Sequence, residues 1–208
     1  MRSKLALAAV LLTIALLWLH IFQVGRRWED IGPPPAPLPL KKVSIEEYVR
    51  MVREYYNTTV YLPSALPRGY VLTTAYVAVD PQNESRVFPG CGVIVCSAVG
   101  DEDPITAELI IGIDIGISLP PTIESSERGH RDEADTIIME VNGWPVRINK
   151  HAAISHPARR EKYGDYAPLA WVWIWDDELA FYAEYCISAP ELTVEELIEV
   201  IRGMRPVL

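Results

Sequence analysis

The hydrophobic pattern of this chain changes character three times, and each change marks an expected element boundary. Leu5–Val24 reads LALAAVLLTIALLWLHIFQV, apolar except at Thr13, His20 and Gln23. At about 1.5 Å of rise per residue, such a helix is about 30 Å long and can cross a hydrocarbon core. The pattern therefore predicts a transmembrane signal-anchor over residues 5–24, behind a leader at 1–4. A cleavable signal peptide is the competing reading, but it needs a shorter apolar core and small residues at its end. Trp18, His20, Ile21, Phe22 and Gln23 stand there instead. Prolines at 33, 34, 35, 37 and 39 come next. They fix φ, lack the amide donor and favour extended polyproline II, so residues 25–42 are expected to form a stalk.

From Ser44 onward the pattern becomes that of a folded domain. Ser44-Ile45-Glu46-Glu47 has the form of a capping box, and Ile45, Tyr48, Val49, Val52, Tyr55 and Tyr56 then recur on one helical face, with Asn57 as the stop. Thr193-Val194-Glu195-Glu196 opens a second helix, striped by Val194, Leu197, Ile198, Ile201 and Met204 and ended by Gly203 and Pro206. Between the helices the period is two. Ala107, Leu109, Ile111, Ile113, Ile115 and Ile117 alternate with small or polar residues, Ile110 aside. Tyr70–Val79 and Cys91–Val99 are apolar on both faces, as central covered strands are. Ile137–Val141 and Trp144–Ile148 flank Asn142-Gly143, a dipeptide that tolerates φ > 0 at both centres of a hairpin turn. Leu169–Trp175 and Leu179–Ile187 make another hairpin about Asp176-Asp177-Glu178. A three-residue loop there places Trp171, Trp173 and Trp175 on one face with Leu179, Phe181, Ala183 and Tyr185. The fold class expected over residues 43–208 is α+β: a curved, mostly antiparallel sheet of about seven strands, with one helix before it and one after, both on its apolar face.

Charge narrows the partners. The chain of 208 residues carries 19 Lys+Arg against 28 Asp+Glu, and from Val43 onward the balance is 13 against 26. So acidic a body is not expected to bind nucleic acid, and anionic headgroups would repel it; the apolar segment, not charge, is expected to hold it at a membrane. Arg2 and Lys4 precede the apolar run and Arg26 and Arg27 succeed it. A short basic leader exports the chain behind it, so the amino terminus is expected inside and the bulk extracytoplasmic. Asparagine occurs only at 57, 83, 142 and 149 and glutamine only at 23 and 82, beside 17 prolines. That scarcity of thermolabile amides matches a thermophilic, archaeal composition.

Candidate chemistry is sparse. Three cysteines are too few for a disulfide scaffold. Cys91 and Cys96, five apart in a strand, point to opposite faces. Cys96 and Cys186 are the disulfide candidates, with buried free thiols as the alternative, and Cys91 is left for an intermolecular bridge. Asn57-Thr58-Thr59 and Asn83-Glu84-Ser85 are glycosylation sequons at Asn57 and Asn83. His130 near Asp132, Glu133 and Asp135, and the run Asp101-Glu102-Asp103, offer carboxylates to a hard cation. No Asp-x-Asp-x-Asp-Gly register accompanies them, so no metal and no cofactor is expected. His151 and His156 are the other histidines of the body. Nucleophile elbow, phosphate loop and His-Glu-x-x-His are all missing, and the chain is read as non-enzymatic. Trp171, Trp173 and Trp175, with Phe181 and Tyr185, make a candidate ligand groove; packing beneath a helix is the other use for such rings.

Short motifs form an ordered series: Leu62-Pro63 and Leu66-Pro67-Arg68-Gly69-Tyr70 at a strand opening, Val141-Asn142-Gly143 in a hairpin, Leu169-Ala170-Trp171 in a late strand, Tyr185-Cys186-Ile187-Ser188, then Thr193-Val194-Glu195-Glu196-Leu197. This order resembles the uncharacterised extracytoplasmic domain family found with outer-membrane-lipoprotein-carrier-like and sporulation-associated proteins, over Leu62 to Met204. The resemblance implies a membrane-tethered binding or envelope-maintenance module and supplies no catalytic residues. Cys91–Cys96 and the acidic stretch Glu124–Asp135 depart from the family's pattern. The expected function is thus a membrane-anchored, non-enzymatic binding or envelope-maintenance domain with an envelope protein or lipid-like partner. The alternatives are a lipid or acyl-chain carrier using the tryptophan face, and a structural subunit of a cell-surface assembly.

Overall fold

The computed structural model describes residues 39–117, 135–177 and 181–207. The expected leader, transmembrane segment and most of the stalk lie outside these residues, as do His130 and most of the acidic stretch 124–135. No helix among the described residues is long and apolar enough to cross a membrane.

Among the described residues the body is α+β, and its main sheet has eight strands rather than about seven. In chain order these are β1 (Leu40–Val43), β3 (Val71–Asp80), β4 (Asn83–Ser97), β5 (Leu109–Ile117), β6 (Thr136–Val141), β7 (Trp144–Ala153), β8 (Tyr166–Asp176) and β9 (Phe181–Ser188). Their spatial order is β1-β3-β4-β5-β9-β8-β7-β6, with every neighbouring pair antiparallel. Two meanders, β3-β4-β5 and β6-β7-β8-β9, are thus sewn together by the β5–β9 ladder. The chain leaves β5 in the middle of the sheet and re-enters at the far edge as β6. A separate two-stranded ribbon joins β2 (Val60–Pro63) to β10 (Met204–Val207).

Local chemistry explains the elements. The helix α1 (Ile45–Tyr56) starts where the Ser44 hydroxyl accepts from the Glu47 amide at 3.0 Å, and ends at Asn57 in the left-handed region, φ 50°. The helix α3 (Val194–Arg202) carries the full reciprocal box, Thr193 with Glu196. Asn142 and Gly143, at φ 56° and 81°, make the tight turn between β6 and β7. Along β5 the side chains of Leu109, Ile111 and Ile113 are buried on the face that α1 and α3 cover, while Ile110, Gly112 and Asp114 turn to the back. Tyr48, Val49 and Val52 of α1 and Leu197, Val200 and Ile201 of α3 close over that front face. Tyr55, expected on the stripe of α1, is 65% exposed. The ribbon is held to the sheet by Tyr185, whose phenol oxygen accepts from the Tyr61 amide at 3.0 Å.

Four elements were not expected. Leu40–Val43 pairs with β3, so the last residues assigned to the stalk belong to the sheet. The strands β2 and β10 are too short to show a period. The helix α2 (Pro157–Tyr163) has no apolar stripe: its one buried side chain is Arg159. Pro89 sits inside β4, which a regular ladder would not accept. Opposite Val77 and Ala78 of β3 stand Gly92 and Phe88, so Pro89, Gly90 and Cys91 bulge out of the β3–β4 ladder, which needs no N–H from Pro89.

Candidate functional site: the back face of the sheet

The register of the β8–β9 hairpin decides which rings share a face. Trp171, Trp173 and Trp175 stand opposite Cys186, Glu184 and Tyr182. Asp176 pairs with Phe181, so the connection is the four residues 177–180, one more than expected. A one-residue slip transfers every side chain to the other face. Phe181, Ala183 and Tyr185 therefore turn toward the helices, and the expected grouping of the three tryptophans with Phe181 and Tyr185 is corrected. Leu179 lies outside the described residues.

The tryptophans form a graded ridge on the back. Trp171 is half-buried with the Arg147 guanidinium 4.6 Å above its ring. Trp173 is buried, and its Nε1–H donates to Glu184 Oε2 at 2.8 Å. Trp175 is 42% exposed, tilted against Tyr182 at 4.5 Å between centroids. Next to the ridge the ladder carries Glu184, then Asp114, then Cys91 across three adjacent strands. Burial and the neighbouring Asp114 carboxylate push the Cys91 thiol above its ordinary value.

At one end of the back face, residues 98–108 fold over the sheet. The Tyr76 hydroxyl donates to the Glu102 carbonyl at 2.9 Å, and Lys42 pairs with the Glu102 carboxylate. The helix α2 closes against this loop: Lys162 Nζ and the Tyr163 hydroxyl donate to the Thr106 carbonyl at 2.9 and 2.8 Å. Between α2, Ala152–Ser155 and the ends of β8 and β9 lies a cavity of about 210 Å³, lined in part by Arg159, Leu169 and Ser188. Nothing in the hydrophobic pattern announced it, because its charged residue reads in sequence as ordinary helix surface. The only available signal was Pro157 as a helix starter.

The other candidates separate. Cys96 belongs to the front-face core and Cys186 to the back, with β5 between their strands. Strands two apart are about 9.5 Å from each other, beyond the reach of a disulfide. The expected Cys96–Cys186 bridge is not formed: all three thiols are free, and burial pushes Cys96 and Cys186 up to about 12. Asn57 and Asn83 are both exposed, as acceptors must be, while Thr59 is half-buried. His151 pairs with Asp135 at 3.1 Å, and His156 is exposed just ahead of α2. Asp101 and Asp103 accept from the amides of Asp103 and Ile105, which makes the acidic run a folded turn. Among the described residues no three His, Cys, Asp or Glu side chains converge on a metal site. No protein-family model, curated protein or solved structure matches this chain.

Proposed function

We propose that the chain is a membrane-anchored, non-enzymatic binding domain displayed on the extracytoplasmic side, with the back face of its sheet as the contact surface. The observation that carries the binding reading is the asymmetry of the sheet. Helices α1 and α3 and the β2–β10 ribbon cover the front, whereas the back presents the tryptophan ridge ending at an exposed Trp175. The exposed end of that ridge, Trp175 against Tyr182, is apolar area that gains free energy when a partner covers it. The anchoring reading rests on Leu5–Val24 and the proline run behind it. The resemblance of the motif order to the extracytoplasmic family is in line with the same role.

Fractionation of cells expressing the full chain tests the anchor. Sedimentation with membranes, resistance to alkaline carbonate and release by detergent are expected. Recovery in the soluble fraction would remove the proposal.

A further inference from the structure

The two edges of the main sheet are built differently. At one, β1 is four residues long, follows Pro39 and carries Lys41 and Lys42, features that blunt an edge against further pairing. At the other, β6 runs Thr136, Ile137, Ile138, Met139, Glu140, Val141, without lysine, proline or glycine. No strand among the described residues lies beyond it.

The core stops short at this edge. Ile137 and Met139 stand opposite Ile148 and Val146 of β7. Those two are fully buried, yet Ile137 and Met139, packed against the same core, are only half-buried. Ile138, on the back, is half-buried as well. With β7 along one flank of β6 and α3 against it, the outward flank is where one more strand would cover these side chains.

The turn fixes which backbone groups face outward. A two-residue loop with φ > 0 at both Asn142 and Gly143 makes Val141 and Trp144 a hydrogen-bonded pair. Alternation makes Met139–Val146 and Ile137–Ile148 bonded pairs too, and turns the N–H and C=O groups of Ile138 and Glu140 away from β7.

This row is complementary to itself. Set antiparallel to a second copy with Ile138 across from Ile138, it puts Ile137 across from Met139 on the front and Glu140 across from Thr136 on the back. Apolar side chains then meet apolar ones, and the strand's one charge avoids its like. Moving the pairing two residues sets Glu140 against Ile138 or carries it past the end of the strand. An odd shift sets front side chains against back ones.

We infer that β6 is the interface of a two-fold homodimer, in which a second copy adds its own β6 antiparallel and joins the two eight-stranded sheets into one. The inference goes beyond the back-face reading and does not depend on it, since the tryptophan ridge lies on β8, two strands in from this edge.

The test is sedimentation of the full chain in detergent at about 50 μM, where the parent is expected as a dimer. Ile138→Lys puts a charge on the edge, and Glu140→Pro removes only an outward N–H. Each should weaken the dimer by about tenfold or more, with the circular dichroism of the folded parent retained. Register is read with a short bismaleimide in a Cys91→Ser background. Ile138→Cys should be joined to its mate, whereas Val99→Cys, an exposed control just past β4, should not. Should one edge variant fail to fold, the other and the crosslink decide. A monomeric parent would mean that the edge is bare or covered within one chain, and would overturn the inference. So would a dimer that persists in both variants, as one held by the apolar segment would, or equal crosslinking from Ile138→Cys and Val99→Cys.

Discussion

The ring of Tyr48 lies directly over the α-carbon of Gly92: a methyl group built on that glycine would fall 2.4 Å from the ring's Cε2 and hydroxyl oxygen. This contact seats α1 on β4. Tyr48 is fully buried, so the ring cannot swing out to make room.

Gly92→Ala should therefore destabilise the domain by about 1–3 kcal/mol, the usual range for overpacking a filled interior. Gly112→Ala is the matched control, since its added methyl meets nothing closer than 3.6 Å, and it should stay within about 0.5 kcal/mol of the parent. Denaturant midpoints at constant slope check both. Equal effects at the two glycines would show that strand glycine as such, not the Tyr48 contact, sets the stability.

Thr193 and Glu196 tie the start of α3 to Arg68. The Thr193 hydroxyl accepts from the Glu196 amide, the Glu196 carboxylate accepts from the Thr193 amide, and Arg68 grips the same carboxylate. Thr193→Ala should lower stability by about 1 kcal/mol. The Arg68 guanidinium, then the Thr193 amide, hold the Glu196 carboxyl below its ordinary value of 4.5. A carboxyl depressed on folding stabilises the native state above its unfolded pKa, and that contribution fades as the pH falls through the native value. Stability should thus decline on acidification below pH 4.5, and Glu196→Gln should flatten that limb relative to the parent. Melting curves of parent and variant across that interval read the difference.

The thiols should react in a fixed order. Cys91 is exposed, whereas Cys96 is fully buried and Cys186 half-buried. A maleimide should modify the native protein once, at Cys91, and three times after denaturation, with no disulfide in the mass spectrum. Burial comes first in raising the Cys91 thiol and the Asp114 charge second, so Asp114→Asn should lower its pKa and speed labelling near neutral pH. A slower reaction in that variant would contradict the assignment of the Asp114 effect.

Trp173 and Trp175 should part company in mutation. Trp173→Ala removes a buried ring and strands Glu184, and should cost about 3–5 kcal/mol. Trp175→Ala, at an exposed ring, should leave stability within about 0.5 kcal/mol while weakening any partner that covers the back face. Calorimetric melts of the two variants make the comparison.

The sequence carried the local signals well and the long-range ones poorly. Both capped helices, the Asn142-Gly143 turn and the alternating strand at Leu109–Ile113 were legible because each is encoded within a few residues. The back face was half legible. The tryptophan row was plain, but its partners were assigned to the wrong side, because turn residues such as Asp176 and Asp177 do not reveal whether three or four residues close a hairpin. The Cys96–Cys186 expectation failed on pairing order: β9 inserts beside β5, a neighbourhood that no spacing announces. The helix α2 and its cavity were invisible for another reason. Arg159 is buried by tertiary contacts with the carbonyls of Ile105, Ala107 and Ser188, and an arginine on a polar segment looks like solvent-facing surface until those contacts are known.

The exposed thiol also reports on whether the domain is anchored with its body outside the cell. Walled cells stripped to intact protoplasts and expressing the full chain are treated with a membrane-impermeant maleimide, with Cys91→Ser as the control. Labelling of the membrane-bound parent before lysis, abolished in Cys91→Ser, is the result expected for an anchored domain facing outward. Labelling that appears only after the protoplasts are broken would place Cys91 inside the cell and contradict it.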